Sequence, residues 1–149
     1  MKPLLFLTLI VMLAIVNAHG ADNYAVEELI GDTATEVKPF SITQVEQQRG
    51  ELRLFIQTGN IAHIQRLISN GTLLAQFSEG DNAMTVPLSL SKAIVCDTGT
   101  IYHLGYSAPL PNCAITQTRY YLRTPVTLGQ GRDLAIGIDP YFIWIIEQK

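Results

Sequence analysis

Cys96 and Cys113 are the only thiols in the chain, and Asp97, His103 and Ser107 lie between them. Four chemistries are open to such a set: a disulfide, a metal site, a thiol nucleophile, or a Ser–His–Asp relay. A structural metal site needs ligands at Cys-x-x-Cys spacing, and there are none. Gly105-Tyr-Ser-Ala-Pro109 comes near the Gly-x-Ser-x-Gly elbow but ends in proline. The elbow must open a helix, which Pro109 and Pro111 forbid, and no oxyanion hole accompanies it. What remains is a disulfide or a free thiol, and the compartment decides between them.

The compartment is read from the start of the chain. Met1-Lys-Pro3 is short and positive, and the run from Leu4 to Val16 carries no charge. A membrane-spanning helix needs about 20 apolar residues, and this run is shorter. Val16-Asn-Ala18 supplies small or branched residues at the positions a signal peptidase reads. Residues 1–18 therefore read as a secretory signal peptide, and the protein as secreted, extracellular or periplasmic. No later stretch is long and apolar enough to cross a bilayer. In an oxidising compartment Cys96 and Cys113 pair. A closed loop of this size contributes about 3 kcal/mol in the chain-entropy model.

Other residues admit sharper chemistry. Cleavage after Ala18 would expose His19 as an N-terminal amine plus imidazole, a pair that suits copper, with His63 and His103 as the further imidazoles. In this one position the chain is similar to secreted copper proteins such as the lytic polysaccharide monooxygenases. The plainer expectation is no metal and no cofactor. In Ala114–Arg123 the residues Gln117, Arg119, Tyr121 and Arg123 share a face with Ile115. Aromatics interleaved with arginine bind anionic or sugar ligands, but such a face is more often a solvated strand whose arginines lie over tyrosine rings. Gly129-Gln-Gly131 opens no helix and reads as a turn rather than a phosphate cradle. Asn70-Gly-Thr72 is a glycosylation acceptor if the source is eukaryotic, and a helix stop in any organism.

These residues must be positioned by elements of a single small domain. Residues 19–40 form an acidic, poorly periodic leader, with Tyr24, Val26, Leu29 and Ile30 as a possible short strand. Residues 41–71 read as a pair of antiparallel helices. Ser41-x-x-Gln44 and Thr43-x-x-Glu46 fit the capping box, and Ile42, Val45, Leu52, Phe55 and Ile56 fall on one face at helical spacing. Gly50 weakens that reading, and residues 51–57 taken alone alternate like a strand. Residues 59–71 resemble the second helix of an ankyrin repeat. The likeness recurs nowhere else and is read as convergence on a short amphipathic helix. From Thr72 onward, short apolar or alternating runs are separated by Gly, Asp and Asn, which predicts an antiparallel sheet over 72–149. Tyr141–Ile146 lacks polar alternation and is expected near the middle of that sheet, with the helical pair on it. The expected fold is α+β within 41–149, with an all-β sandwich as the alternative.

Charged residues make up 15% of the chain and apolar ones 48%. That balance argues against disorder, and with no basic stripe it argues against nucleic acid as a partner. The expected function is a non-enzymatic interaction or ligand-binding module outside the cytoplasm, whose partner is another extracytoplasmic protein or a small ligand. Its expected contact loop is Tyr106–Asn112, with Pro109 and Pro111 stiffening Tyr106, Leu110 and Asn112 above the disulfide. The alternatives are a small extracellular enzyme, a carrier for an apolar ligand, and the copper protein.

Overall fold

The computed structural model describes residues 23–29 and 38–149. The signal-peptide reading and His19 fall outside these residues. Among the described residues ten strands and one helix follow in order: β1 (Tyr24–Glu28), β2 (Ser41–Gln48), β3 (Glu51–Gln57), α1 (Ile61–Ser69), β4 (Leu73–Glu79), β5 (Asn82–Val86), β6 (Ser89–Cys96), β7 (Gly99–Gly105), β8 (Ile115–Thr124), β9 (Arg132–Ile138) and β10 (Tyr141–Gln148). They form two five-stranded sheets with every pairing antiparallel: sheet A in the order β1-β10-β9-β4-β5, and sheet B in the order β2-β3-β8-β6-β7.

The α+β expectation with an N-terminal helical pair is thereby overturned in favour of the all-β sandwich. Residues 41–57 form the β2–β3 hairpin, and two local features explain the helical look of its sequence. The register slips between Ile42 and Gln44, so Thr43 is an extra residue. A bulge of this kind places Ile42 and Val45, three apart, on the same side of the sheet. Then Phe55 and Ile56 are both buried although they point to opposite faces, which hides the alternation of Leu52, Leu54 and Ile56. Gly50, read as a flaw in a helix, makes the hairpin turn at φ +72°.

α1 forms where the second helix was expected. Asn60 caps it by accepting the N–H of His63 on Oδ1 at 3.1 Å, and Gly71 (φ +77°) takes the chain out beyond Asn70. The helix makes its main contacts with β4 and β6, one strand from each sheet, rather than with β10. It thus closes one end of the sandwich, with Ile64 fully buried in the core.

That core lies between the sheets. Sheet B contributes Val45, Leu52, Leu54, Leu90 and Leu122; sheet A contributes Leu73, Ala75, Leu134, Ile136, Trp144 and Ile146. Trp144 stacks on Phe40 with ring centroids 4.5 Å apart. β10 lies between β1 and β9, one strand in from the edge, where its unbroken apolar run was expected nearer the middle of the sheet. Gly137 on β9 admits no side chain, because a Cβ there would run into the backbone of Tyr141 and Phe142. Residues 24–28 of the leader are an edge strand, paired with β10 and tethered by the Glu28–Lys38 ion pair at 2.9 Å.

Candidate binding face on sheet B

Sheet B buries side chains on both sides. Away from the main core, Phe55, Ala93 and Tyr121 form a separate small cluster, with Tyr121 and Ala93 wholly inaccessible to solvent. They stand on β3, β6 and β8, and alternation turns Glu51, Arg53, Arg119 and Arg123 to the same side.

The cover over Tyr121 comes from the edge strand β7. The register between β6 and β7 slips so that Tyr102 and His103 together stand opposite Ala93. His103 adopts φ +65° and is the one non-glycine residue with positive φ among the described residues. A two-to-one bulge above the small side chain of Ala93 leaves room for both rings on the outer face. His103 then clamps Tyr121. Its backbone N–H donates to the phenol oxygen at 2.7 Å, and its Nδ1 lies 2.8 Å from the same oxygen. Arg53 Nη2 is 3.2 Å from Nε2. A guanidinium only donates, so Nε2 accepts, and the ring proton belongs on Nδ1.

Electrostatics keep this arrangement neutral at its centre. Burial lowers the pKa of His103, Arg123 and Arg53 lower it further, and Glu51 opposes them. Burial raises the pKa of the Tyr121 phenol, although the His103 N–H and the nearby arginines draw it part of the way back. Burial acts to raise the pKa of Glu51, but hydrogen bonds from Arg123 and Arg53 outweigh it and hold the carboxyl below its ordinary range. Glu51 accepts from Arg123 at 2.8 and 3.0 Å and from Arg53 at 3.0 Å, and Glu46 adds a longer contact to Arg53 at 3.8 Å. Arg53, whose side chain is only 12% exposed, also lies over the rings of Tyr102 (4.8 Å) and Tyr121 (5.8 Å).

Arg119 is bound differently. Its guanidinium carbon lies over Phe55, 3.9 Å from the ring centroid, and the group donates to Gln44 Oε1. Among the described residues no carboxylate comes within ion-pair distance of it.

Comparison with protein families, with characterised proteins and with solved structures yields no significant match. The reading of this face therefore rests on its own geometry.

The residues singled out in the sequence are dispersed. Cys96 and Cys113 lie at disulfide distance, with Cα atoms 5.8 Å apart, and tie the end of β6 to the approach to β8. The loop between β7 and Cys113 has two further anchors. Tyr106 packs against the main core, and buried Lys92 donates from Nζ to the Ala108 carbonyl at 2.6 Å. Leu110 is left 61% exposed, Pro109 and Asn112 are exposed, and Pro111 is half-buried. His103 is engaged by Tyr121 and Arg53, while the Asp97 backbone N–H donates to Ala114. His63 is exposed on α1, far along the chain and on another element from His103. Among the described residues no group of three His, Cys, Asp or Glu side chains is placed to hold a metal. Asn70 is exposed and its Oδ1 accepts the N–H of Thr72. A groove of about 370 Å³ lies elsewhere, between Lys38, Pro39, Thr58, Asn60, His63 and Ile138. Among the described residues no helix is long and apolar enough to cross a membrane.

Arg119, Tyr121 and Arg123 do share one face, as their alternation on β8 implied. The face is solvated in part: Ile115 and Gln117 are exposed, while Tyr121 is sealed beneath β7. Gln44, Glu51, Arg53, Phe55 and Tyr102 were missed as members of the site. The signal for three of them was present in Glu51-Leu-Arg-Leu-Phe-Ile-Gln57, whose outward positions alternate as charge, charge and ring.

Proposed function

We propose that the protein is a non-enzymatic binding module that acts outside the cytoplasm and meets its ligand on the outer face of sheet B. The observation that carries this reading is the covered layer on that face. A left-handed residue, a buried tyrosine and two arginines are held in place around Glu51, and a third arginine is seated on Phe55, on a side of the sheet that needs no covering to complete the main core. Backbone held in an uncommon conformation is retained where its surroundings over-determine it, and such positions cluster at ligand sites. A prearranged set of donors loses less freedom on binding than a mobile one. The apolar start of the chain and the paired cysteines support the compartment.

The test is a titration of isotopically labelled protein with small anions and oligosaccharides, followed by amide chemical shifts. Changes gathered on β2, β3, β7 and β8 are expected. Changes gathered around the α1 groove, or none with any probe, would remove the reading. Intact mass of the protein recovered from its native host tests the compartment, since retention of residues 1–18 with two free thiols contradicts it.

A further inference from the structure

We propose that Arg119 is the anchor of a carboxylate subsite on sheet B and that the ligand it serves is an acidic glycan, a chain of uronate-type sugars. This deepens the proposed binding function and rests on it.

Three adjacent strands build the subsite. Phe55 on β3 is the floor, Gln44 on β2 orients one edge of the guanidinium, and Arg119 itself comes from β8. Phe55 is only 1% exposed, so the floor is fixed. The other two arginines of the face are already matched by Glu51 and Glu46. Among the described residues Arg119 has neutral partners only, and a guanidinium carries five N–H donors in a rigid fork that fits a carboxylate through two parallel bonds. It is a positive group set in place with donors to spare.

The surroundings select the kind of carboxylate. β3 and β8 are interior strands whose backbone groups are taken by β2, β6 and each other. An acidic peptide that adds to this sheet must pair with an edge strand, β2 or β7, and would then lie three strand spacings, roughly 14 Å, from β8 and out of line with Arg119. Recognition must come from side chains. Alternation places exposed Gln57 and Gln117 on the same face, and the Tyr102 ring is 41% exposed beyond Tyr121. Amides to bond hydroxyls, a ring on which a sugar can stack and an arginine for the acid group match a chain of uronates laid across the strands.

Calorimetric titration of the full protein with tetragalacturonate and tetramannuronate, their methyl esters, and tetraglutamate tests the assignment. At least one uronate is expected to bind, with its methyl ester about tenfold weaker, since a charged hydrogen-bonded pair is lost. Arg119→Gln is expected to weaken the acid form by about the same factor and to erase its preference over the ester. Arg119→Lys should fall between, keeping the charge and losing the fork. Arg132→Gln, on sheet A, should bind as the native protein does, and thermal melts check that each variant is folded. If tetraglutamate alone binds, and does so through Arg119, the glycan assignment is overturned while the binding face stands. Uronate binding undiminished in folded Arg119→Gln and Arg119→Lys overturns the anchor. No binding by any of the probes overturns the proposal, while the binding face then still answers to its own broader titration.

Discussion

Across the outer side of sheet A, one row of paired residues runs Glu27, Ile145, Ala135, Gln76, Thr85; across the outer side of sheet B the matching row runs Gln44, Phe55, Tyr121, Ser91, Gly105. No residue of the first row is buried, whereas Phe55, Tyr121 and Ser91 of the second are. The charges differ in the same way. On sheet B, Glu51 sits between two arginines. On sheet A, Glu147 stands directly opposite Asp133 and near Glu27, and burial together with these like charges raises its pKa. Sheet A is finished as an antiparallel sheet facing water usually is, with polar groups left to solvent. Sheet B carries a second packed layer, held by matched charges and a bulged edge strand. The main core explains the inner faces of both sheets, so the extra order on one outer face is the part of the molecule that asks for a function.

The largest effect expected from this difference is in packing. Tyr121→Ala or Phe55→Ala should destabilise the protein by about 3–5 kcal/mol, the scale of a core truncation. Gln76→Ala, at the corresponding outward place on sheet A, should stay within about 0.5 kcal/mol. Equal small losses from chemical denaturation would mean that the second layer is not packed. Next comes the staple at the β7 end of sheet B. Replacing both Cys96 and Cys113 with serine should cost about 3 kcal/mol and loosen β7 in hydrogen exchange, leaving the amides of β9 and β10 protected longest.

The charges should then separate the faces by pH. Glu51 and His103 both have lowered pKa values in the folded protein. Their stabilisation is complete above the unfolded values, about 4.5 for the glutamate and about 6.5 for the histidine, and is lost as pH falls through the folded ones. Glu147 is raised, so its contribution has the opposite sign: complete below about 4.5, and lost as pH rises through the folded value. Glu51→Gln should therefore cost about 1–2 kcal/mol near neutral pH and little in acid. Glu147→Gln should be the smallest effect, a gain within about 0.5 kcal/mol near neutral pH that vanishes in acid. Melting temperatures between pH 3 and 8 check both signs, and profiles of the same slope for the two variants would erase the electrostatic contrast.

Much of the strand content was legible because it depends on local pattern. The runs at Thr72–Phe77, Thr100–Leu104, Ala114–Arg123, Leu134–Ile138 and Tyr141–Ile146 stand where β4, β7, β8, β9 and β10 form. The same local logic failed at 41–57. A bulge turned spacing of two into spacing of three, and the outward Phe55 carried the apolar signal of a core residue. The candidate site was half legible. Arg119, Tyr121 and Arg123 announce a shared face by alternation on one strand, but nothing local in the sequence says that Tyr102 and His103 will fold over it.

The residue types thus determined by themselves that the chain would make short strands punctuated by glycine turns from Thr72 onward, a helix ending at Asn70-Gly71, and a pair of cysteines close enough in sequence to join. Those outcomes follow from backbone preferences and side-chain periodicity over a few residues. Only the tertiary structure decided that 41–57 would be strands set beside the distant β8, that Phe55 and Tyr121 would be sealed on the outer side of sheet B, and that Arg119 would be left without an acidic partner among the described residues. These depend on which strands become neighbours and on the register between them, and pairing between segments far apart in sequence leaves little trace in either one alone.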